Sequence, residues 1–209
     1  MAYDLYFLQL ANKLPDSLID RLRDMDSFQG ARYEVAIAAT FARADFDIDL
    51  LDERVKKEKH RGVLNQPGVF DENKDLRGDV RGLYQSALTQ APTDKPFLIF
   101  IDANLPTDDL PSLQSATVNG IPFDKIPWMA EIETMLKDDW GIEGKEKTPD
   151  TAVVVANFSP HFGEDDGVYP QGFFAIIPSP KPQNPIVDPY VTDDLFYCLF
   201  HYGMVPKVI

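Results

Sequence analysis

Residues 97–101 are the apolar run Phe97-Leu98-Ile99-Phe100-Ile101, and the polar turn Asp102-Ala103-Asn104-Leu105-Pro106 follows directly. A short apolar run that ends in turn residues is typical of a strand covered on both faces. The stretch therefore predicts a central strand of a sheet, and both faces of that strand require packing partners.

Apolar residues at helical spacing lie on both sides of this strand. Before it, Tyr33, Ile37 and Phe41 recur at every fourth position in a helix predicted from about Gln29, and residues 76–88 carry a second helical pattern. After it, Ile126 to Trp140 predicts a third long helix. We expect the helices that contain Tyr33 and Val80 to pack against the sheet.

Shorter helices are predicted towards both ends of the chain. Pro15-Asp16-Ser17 is an N-cap signal, and the apolar residues after it predict a helix to about Met25. Thr192 is predicted to cap a final helix that contains Leu195, Phe196, Leu199 and Phe200.

Three further segments predict strands. In residues 46–51, apolar side chains recur at every second position, as in a half-buried strand. Residues 152–158 and 172–177 are apolar, and the turn-rich connection through Gly163 to Pro170 fits an antiparallel pair. We therefore predict a single α/β domain over residues 1–209, with a central mixed β-sheet flanked by helices.

Composition narrows the possible functions. The 34 acidic and 20 basic residues give a formal net charge of −14, which repels a phosphate backbone unless basic groups gather locally. Cys198 is the only cysteine, which excludes an intrachain disulfide and fits a reducing compartment. No apolar run approaches the roughly 20 residues that span a bilayer. We expect a cytoplasmic protein that does not enter a membrane.

One strongly basic stretch, Arg54 to Arg61, interrupts this acidic sequence. It predicts either a solvated loop or, together with two later arginines, a groove that binds nucleic-acid phosphates. The candidate phosphate-binding residues are Arg54, Lys56, Lys57, Lys59, Arg61, Arg77 and Arg81.

Four short motifs accompany the predicted elements: Gly30-Ala31-Arg32-Tyr33-Glu34, Arg61-Gly62-Val63-Leu64, Leu76-Arg77-Gly78-Asp79-Val80 and Phe100-Ile101-Asp102-Ala103-Asn104-Leu105-Pro106. Together with the order of the elements, they resemble restriction-endonuclease-like proteins, and more narrowly an uncharacterised bacterial branch of the PD-(D/E)xK superfamily. The resemblance covers most of the chain. It implies magnesium-dependent phosphodiester hydrolysis, in which an acidic residue and a Glu-x-Lys on adjacent strands hold the metal and orient water.

The sequence departs from that superfamily at His60 and Arg61. The resemblance places the acidic strand and the Glu-x-Lys strand between these two residues, which are adjacent here. Either that segment is missing from this sequence or the chain lacks the metal site. We therefore expect no nuclease activity from this sequence, and magnesium binding only where the missing strands are present.

The resemblance also implies two auxiliary catalytic candidates, Glu34 and Gln85. Glu34 would assist a metal site, although a carboxylate early in a helix also complements the helix dipole. Gln85 would order water or face nucleic acid, although a glutamine on a helix flank is also simply solvated. The acid-x-Lys triplets that begin at Glu72 and Glu143 lie in turn-rich segments, so neither is positioned as a catalytic strand.

Three functions remain open. The first is a nuclease-like protein related to metal-dependent phosphodiesterases and inactive in this form. The alternative is a non-catalytic, acidic protein-interaction domain on an α/β scaffold, whose charge suits a basic partner. A small-molecule hydrolase based on Ser159 and His161 is a further alternative, but it lacks a Gly-x-Ser-x-Gly elbow.

Overall fold

A computed structural model describes residues 1–50, 76–103, 127–140, 147–157 and 173–200. The chain divides into two compact units, Met1–Phe70 with Tyr190–Tyr202 and Asp71–Pro189 with Gly203–Ile209. In chain order, the described elements are α1 (Ala2–Leu10), α2 (Asp16–Arg23), α3 (Phe28–Arg43), α4 (Leu76–Leu88), β1 (Leu98–Asp102), α5 (Pro127–Asp139), β2 (Ala152–Asn157), β3 (Phe173–Pro178) and α6 (Pro189–Phe200).

The core of the first unit forms around α3, which packs against α1 and α2. The buried side chains of this core are Leu8, Leu18, Ala31, Val35, Ala38 and Ala39. Small alanine side chains let the neighbouring helices approach closely. The sequence pattern predicts a sheet as the partner of α3, whereas its partners within this unit are helices. An apolar stripe specifies that a helix face is buried but not which kind of element covers it.

The segment after α3 corrects a second expectation. A strand is predicted from Phe46 to Leu51, yet residues 46–50 lie outside any helix or strand, and Leu51 lies outside the described residues. Ile48 and Leu50 pack against the helical core, while the two aspartates between and before them are exposed. The alternation therefore identified the inward and outward side chains. It did not identify a strand, because an extended segment over helices satisfies the same pattern.

The helices α1 and α3 end in the same backbone motif. Asn12 and Asp45 follow them with positive φ angles of 55° and 63°, a conformation that Asn and Asp tolerate better than most residues. After α3, the N–H groups of Phe46 and Asp45 donate to the carbonyls of Phe41 and Ala42 at 3.1 and 3.2 Å. These two hydrogen bonds form a Schellman motif. The rings of Phe41 and Phe46 make the hydrophobic contact of the motif, edge to face, with their centroids 5.2 Å apart.

The second unit contains a three-stranded mixed sheet in the order β1-β2-β3. β2 runs parallel to β1, with Leu98 opposite Ala152, and antiparallel to β3, with Ala152 also opposite Pro178. The predicted mixed sheet and antiparallel final pair are confirmed. Within the described strands, however, β2 is central rather than β1, and Val153, Val154 and Val155 are completely buried.

Helices α4 and α5 pack against each other, and α4 also packs against β1. The prediction that the Val80 helix flanks the sheet is confirmed, and α5 matches the predicted long helix to within a residue at each end. α6 begins at Pro189, so Thr192 lies inside this helix and does not cap it. Helix α1 has no counterpart in the sequence prediction. Among the helices of the described residues, none combines the length and the apolar character that a membrane-spanning helix requires.

Candidate functional site

The predicted site residues fall into different parts of the chain. Glu34 lies on α3 in the first unit, and Gln85 lies on α4 in the second. Arg77 and Arg81 also belong to α4. The basic stretch and the His60–Arg61 junction lie outside the described residues, as do both acid-x-Lys triplets, Ser159 and His161. The basic residues concerned are Arg54, Lys56, Lys57, Lys59 and Arg61.

Glu34 forms an ion pair that joins α3 to α2. Its Oε2 lies 2.5 Å from Nη1 of Arg21, and about a third of each side chain is exposed. Glu34 stands in the second turn of α3, beyond the first turn in which the helix dipole acts. The dipole of α3 therefore contributes little at this position, and Arg21 is the partner that the structure gives to the carboxylate. This contact positions two helices.

Gln85 and Arg81 converge on one carboxylate, that of Asp139 at the end of α5. Arg81 contacts both oxygens, with Nη2 3.0 Å from Oδ1 and Nε 3.2 Å from Oδ2. The Gln85 amide donates to Oδ2 at 3.3 Å. A carboxylate at a helix C-terminus is unfavourable by itself, and the arginine offsets it. In the structure, these two candidates connect α4 to α5.

This use of basic side chains recurs across the described residues. Ion pairs within the chain join carboxylates to Lys13, Arg21, Arg23, Arg43, Arg81 and Lys137. A cation that already faces a carboxylate offers less attraction to a phosphate, because the two local potentials cancel.

A buried carboxylate two residues before β2 is the centre of a polar cluster among the described residues of the second unit. Asp150 is completely buried, and its Oδ1 accepts a hydrogen bond of 3.0 Å from the Tyr84 hydroxyl. That hydroxyl in turn accepts one of 2.9 Å from the Trp140 indole N–H. Oδ2 of Asp150 has no hydrogen-bond partner among the described residues. A residue of α4, the residue that follows α5 and a residue just before β2 thus meet at one point.

Burial determines the electrostatics of this cluster. It raises the pKa of Asp150, and the hydrogen bond from Tyr84 opposes that shift without cancelling it. Burial and the nearby Asp150 carboxylate both raise the pKa of the Tyr84 hydroxyl. Sequence reasoning missed the cluster because Tyr84 and Asp150 are 66 positions apart. No local spacing signals such a contact.

Two hydroxyl groups extend the cluster towards β3. The Thr148 hydroxyl donates to the backbone carbonyl of Asp150 at 3.1 Å and also shares a hydrogen bond with the Ser179 hydroxyl. Both side chains are buried. Over the described part of the chain, no three His, Cys, Asp or Glu residues are grouped so that they could hold a metal ion. The cluster therefore offers neutral hydrogen-bonding groups around one carboxyl.

The first unit contains a buried carboxylate of a different kind, Asp4. Its Oδ1 lies 2.7 Å from Nη1 of Arg43, and the two side chains are 6% and 17% exposed. Nη2 of Arg43 also donates to the hydroxyl of buried Thr40 at 3.1 Å. Cys198 lies near this arginine, and partial burial raises the pKa of its thiol.

The outer face of α6 is aromatic and acidic. Tyr190, Asp193, Asp194 and Tyr197 are spaced at i, i+3, i+4 and i+7, which places them on one side of a helix. All four are exposed, the tyrosines to 77% and 64%. The buried residues of the helix, Leu195 and Leu199, lie on the opposite side.

Comparisons with protein-family models, with curated proteins and with solved structures found no match to the chain. The resemblance to restriction-endonuclease-like proteins thus stays a hypothesis that rests on sequence motifs.

Proposed function

We propose that this chain is a non-catalytic, acidic protein-interaction domain on an α/β scaffold, which binds a basic protein partner in the cytoplasm. The observation that carries this proposal is the way in which the charged side chains of the protein are paired. Six of the described basic side chains pair with carboxylates inside the chain, and the net charge of the whole sequence is −14. The remaining surface therefore favours cationic ligands over phosphate backbones.

The second candidate is the restriction-endonuclease-like nuclease. The mixed sheet supports it, with Asp102 at the carboxyl end of β1 beside parallel β2, since ligands of α/β sheets bind at that end. In this candidate, magnesium ligands belong to the strands absent between His60 and Arg61. The described residues do not assemble such a site, because Glu34 is engaged by Arg21 and Gln85 by Asp139.

Binding measurements on the whole chain separate the two candidates. Fluorescence anisotropy would follow labelled hexa-arginine, hexalysine, and single- and double-stranded DNA at about 0.15 M ionic strength. We expect binding of the basic peptides that weakens with added salt, and no binding of DNA. Binding of DNA in preference to the peptides would overturn the proposal and favour the nuclease.

A further inference from the structure

The face of α6 formed by Tyr190, Asp193, Asp194 and Tyr197 has the composition of a recognition surface rather than of an ordinary solvated face. Tyrosine is among the residues that dominate binding energy at interfaces, because a large rigid ring loses little entropy on contact. Two such rings stand one on each side of a pair of carboxylates. A helix face that serves only solubility requires charged side chains and does not require exposed aromatic rings.

We propose that this face, hereafter the α6 face, binds an arginine-rich segment of a protein partner. The proposal rests on the acidic-interaction function proposed above and specifies where that function resides. A guanidinium group is planar, so it forms paired hydrogen bonds with a carboxylate and stacks on an aromatic ring. Asp193 and Asp194 supply the carboxylates, and Tyr190 and Tyr197 supply the rings.

The charges around the α6 face support a cationic occupant. Neither Asp193 nor Asp194 forms an ion pair within the part of the chain that the structure describes. In this respect they differ from Asp4, which Arg43 neutralises in the same unit. The carboxylates of Asp193 and Asp194 are therefore available to an external cation. The exposed rings of Tyr190 and Tyr197 also attract a cation, which offsets part of the hydration that the cation loses on binding.

The spacing of the α6 face indicates the length of the bound segment. Tyr190 and Tyr197 are seven residues apart, which corresponds to about 10 Å along a helix. Arginines separated by two turns of a partner helix, or by three residues of an extended segment, span that distance. Two or more arginines within such a segment are thus the recognised feature.

The test compares matched charge-neutralising variants of the full chain. Asp193→Asn/Asp194→Asn removes two charges from the α6 face, and Glu131→Gln/Asp138→Asn removes two exposed charges from α5 at a spacing of seven residues. We expect the first variant to weaken the binding of labelled hexa-arginine about fivefold to tenfold, and the second by at most about twofold. Circular dichroism checks that both variants fold.

A second pair of variants tests the rings. Tyr190→Ala/Tyr197→Ala is expected to weaken hexa-arginine binding about tenfold and to weaken hexalysine binding less, because guanidinium stacks better on an aromatic ring. Tyr6→Ala, which removes a ring 61% exposed on α1, is the control and is expected to have no effect.

The possible outcomes separate this inference from the proposed function. If both charge variants weaken hexa-arginine equally, binding is a diffuse effect of net charge, so the α6 face is not the site while the interaction function stands. If the unmodified chain binds neither basic peptide, the interaction function itself fails. Equal losses for hexa-arginine and hexalysine in the tyrosine variant would contradict recognition of arginine.

Discussion

Asp4 and Asp150 are both buried carboxylates, but the partners that surround them differ between the two units of the molecule. In the first unit, Asp4 faces the guanidinium of Arg43 at 2.7 Å, and that arginine also reaches Thr40. In the second unit, Asp150 receives a hydrogen bond from the neutral hydroxyl of Tyr84, and its other oxygen has no partner among the described residues.

The difference shows that burial alone does not determine how a carboxyl group behaves. A nearby guanidinium replaces part of the hydration that a carboxylate loses on folding, so removal of one partner exposes the whole desolvation cost. Neutral donors compensate less, and burial consequently raises the pKa of Asp150. The first unit should thus depend on its ion pair, and the second should respond to pH.

Removal of the arginine should produce the largest loss of stability. Arg43→Met removes the guanidinium that faces Oδ1 of buried Asp4 and leaves the partly exposed Met1 ammonium, 3.1 Å from Oδ2, as the remaining cation. We expect the free energy of unfolding to fall by about 3 kcal/mol. Urea denaturation followed by circular dichroism measures the change. The double variant Asp4→Leu/Arg43→Met should recover part of that loss, since it leaves no buried charge. A double variant less stable than Arg43→Met would contradict this account.

Loss of the tyrosine hydroxyl should have a smaller effect in the second unit. Tyr84→Phe leaves Oδ1 of Asp150 and the Trp140 indole N–H without their present partner, and we expect a loss of about 2 kcal/mol. Tyr6→Phe removes the hydroxyl of a side chain that is 61% exposed and should change stability by less than about 0.5 kcal/mol in the same denaturation experiment. Similar losses of stability for the two variants would contradict a stabilising role of the hydrogen bonds made by the Tyr84 hydroxyl.

A pH series should reveal the raised pKa of Asp150. Because its pKa is higher in the folded state, the proton it binds contributes stability that is complete below the unfolded pKa and is lost as pH rises through the folded pKa. Asp150→Asn keeps an acceptor and carries no charge, so its stability relative to the parent chain should increase from pH 4 to pH 7. A difference independent of pH would show that the pKa of Asp150 is not raised by folding.

Loss of the partly exposed ion pair between Arg21 and Glu34 should produce the smallest loss of stability. The Arg21–Glu34 pair is about one-third exposed, so Glu34→Ala should lower the free energy of unfolding by under about 1 kcal/mol, far less than Arg43→Met.

We also expect no cleavage of single- or double-stranded DNA or RNA with magnesium or manganese, before or after the Glu34→Ala substitution. Robust cleavage that Glu34→Ala abolishes would restore the nuclease as the leading function.

Much of the local structure follows from residue patterns. All three strands of the sheet and the long helices α3, α4 and α5 are predicted to within a few residues, because their apolar periodicities are strong. Helix α1 is missed, since exposed Tyr3, Tyr6 and Leu10 interrupt any simple apolar stripe. The false strand at residues 46–50 shows that alternation reports burial and not hydrogen-bond pairing.

Sequence by itself determined the α/β character, the mixed sheet and the acidic charge, because these depend on composition and on spacing along the chain. Tertiary structure decided which side chains meet: Glu34 with Arg21, Gln85 with Asp139, and Tyr84 with Asp150 across 66 positions. Such contacts depend on how elements pack in three dimensions, and a linear pattern records the burial of a face but not the identity of its partner.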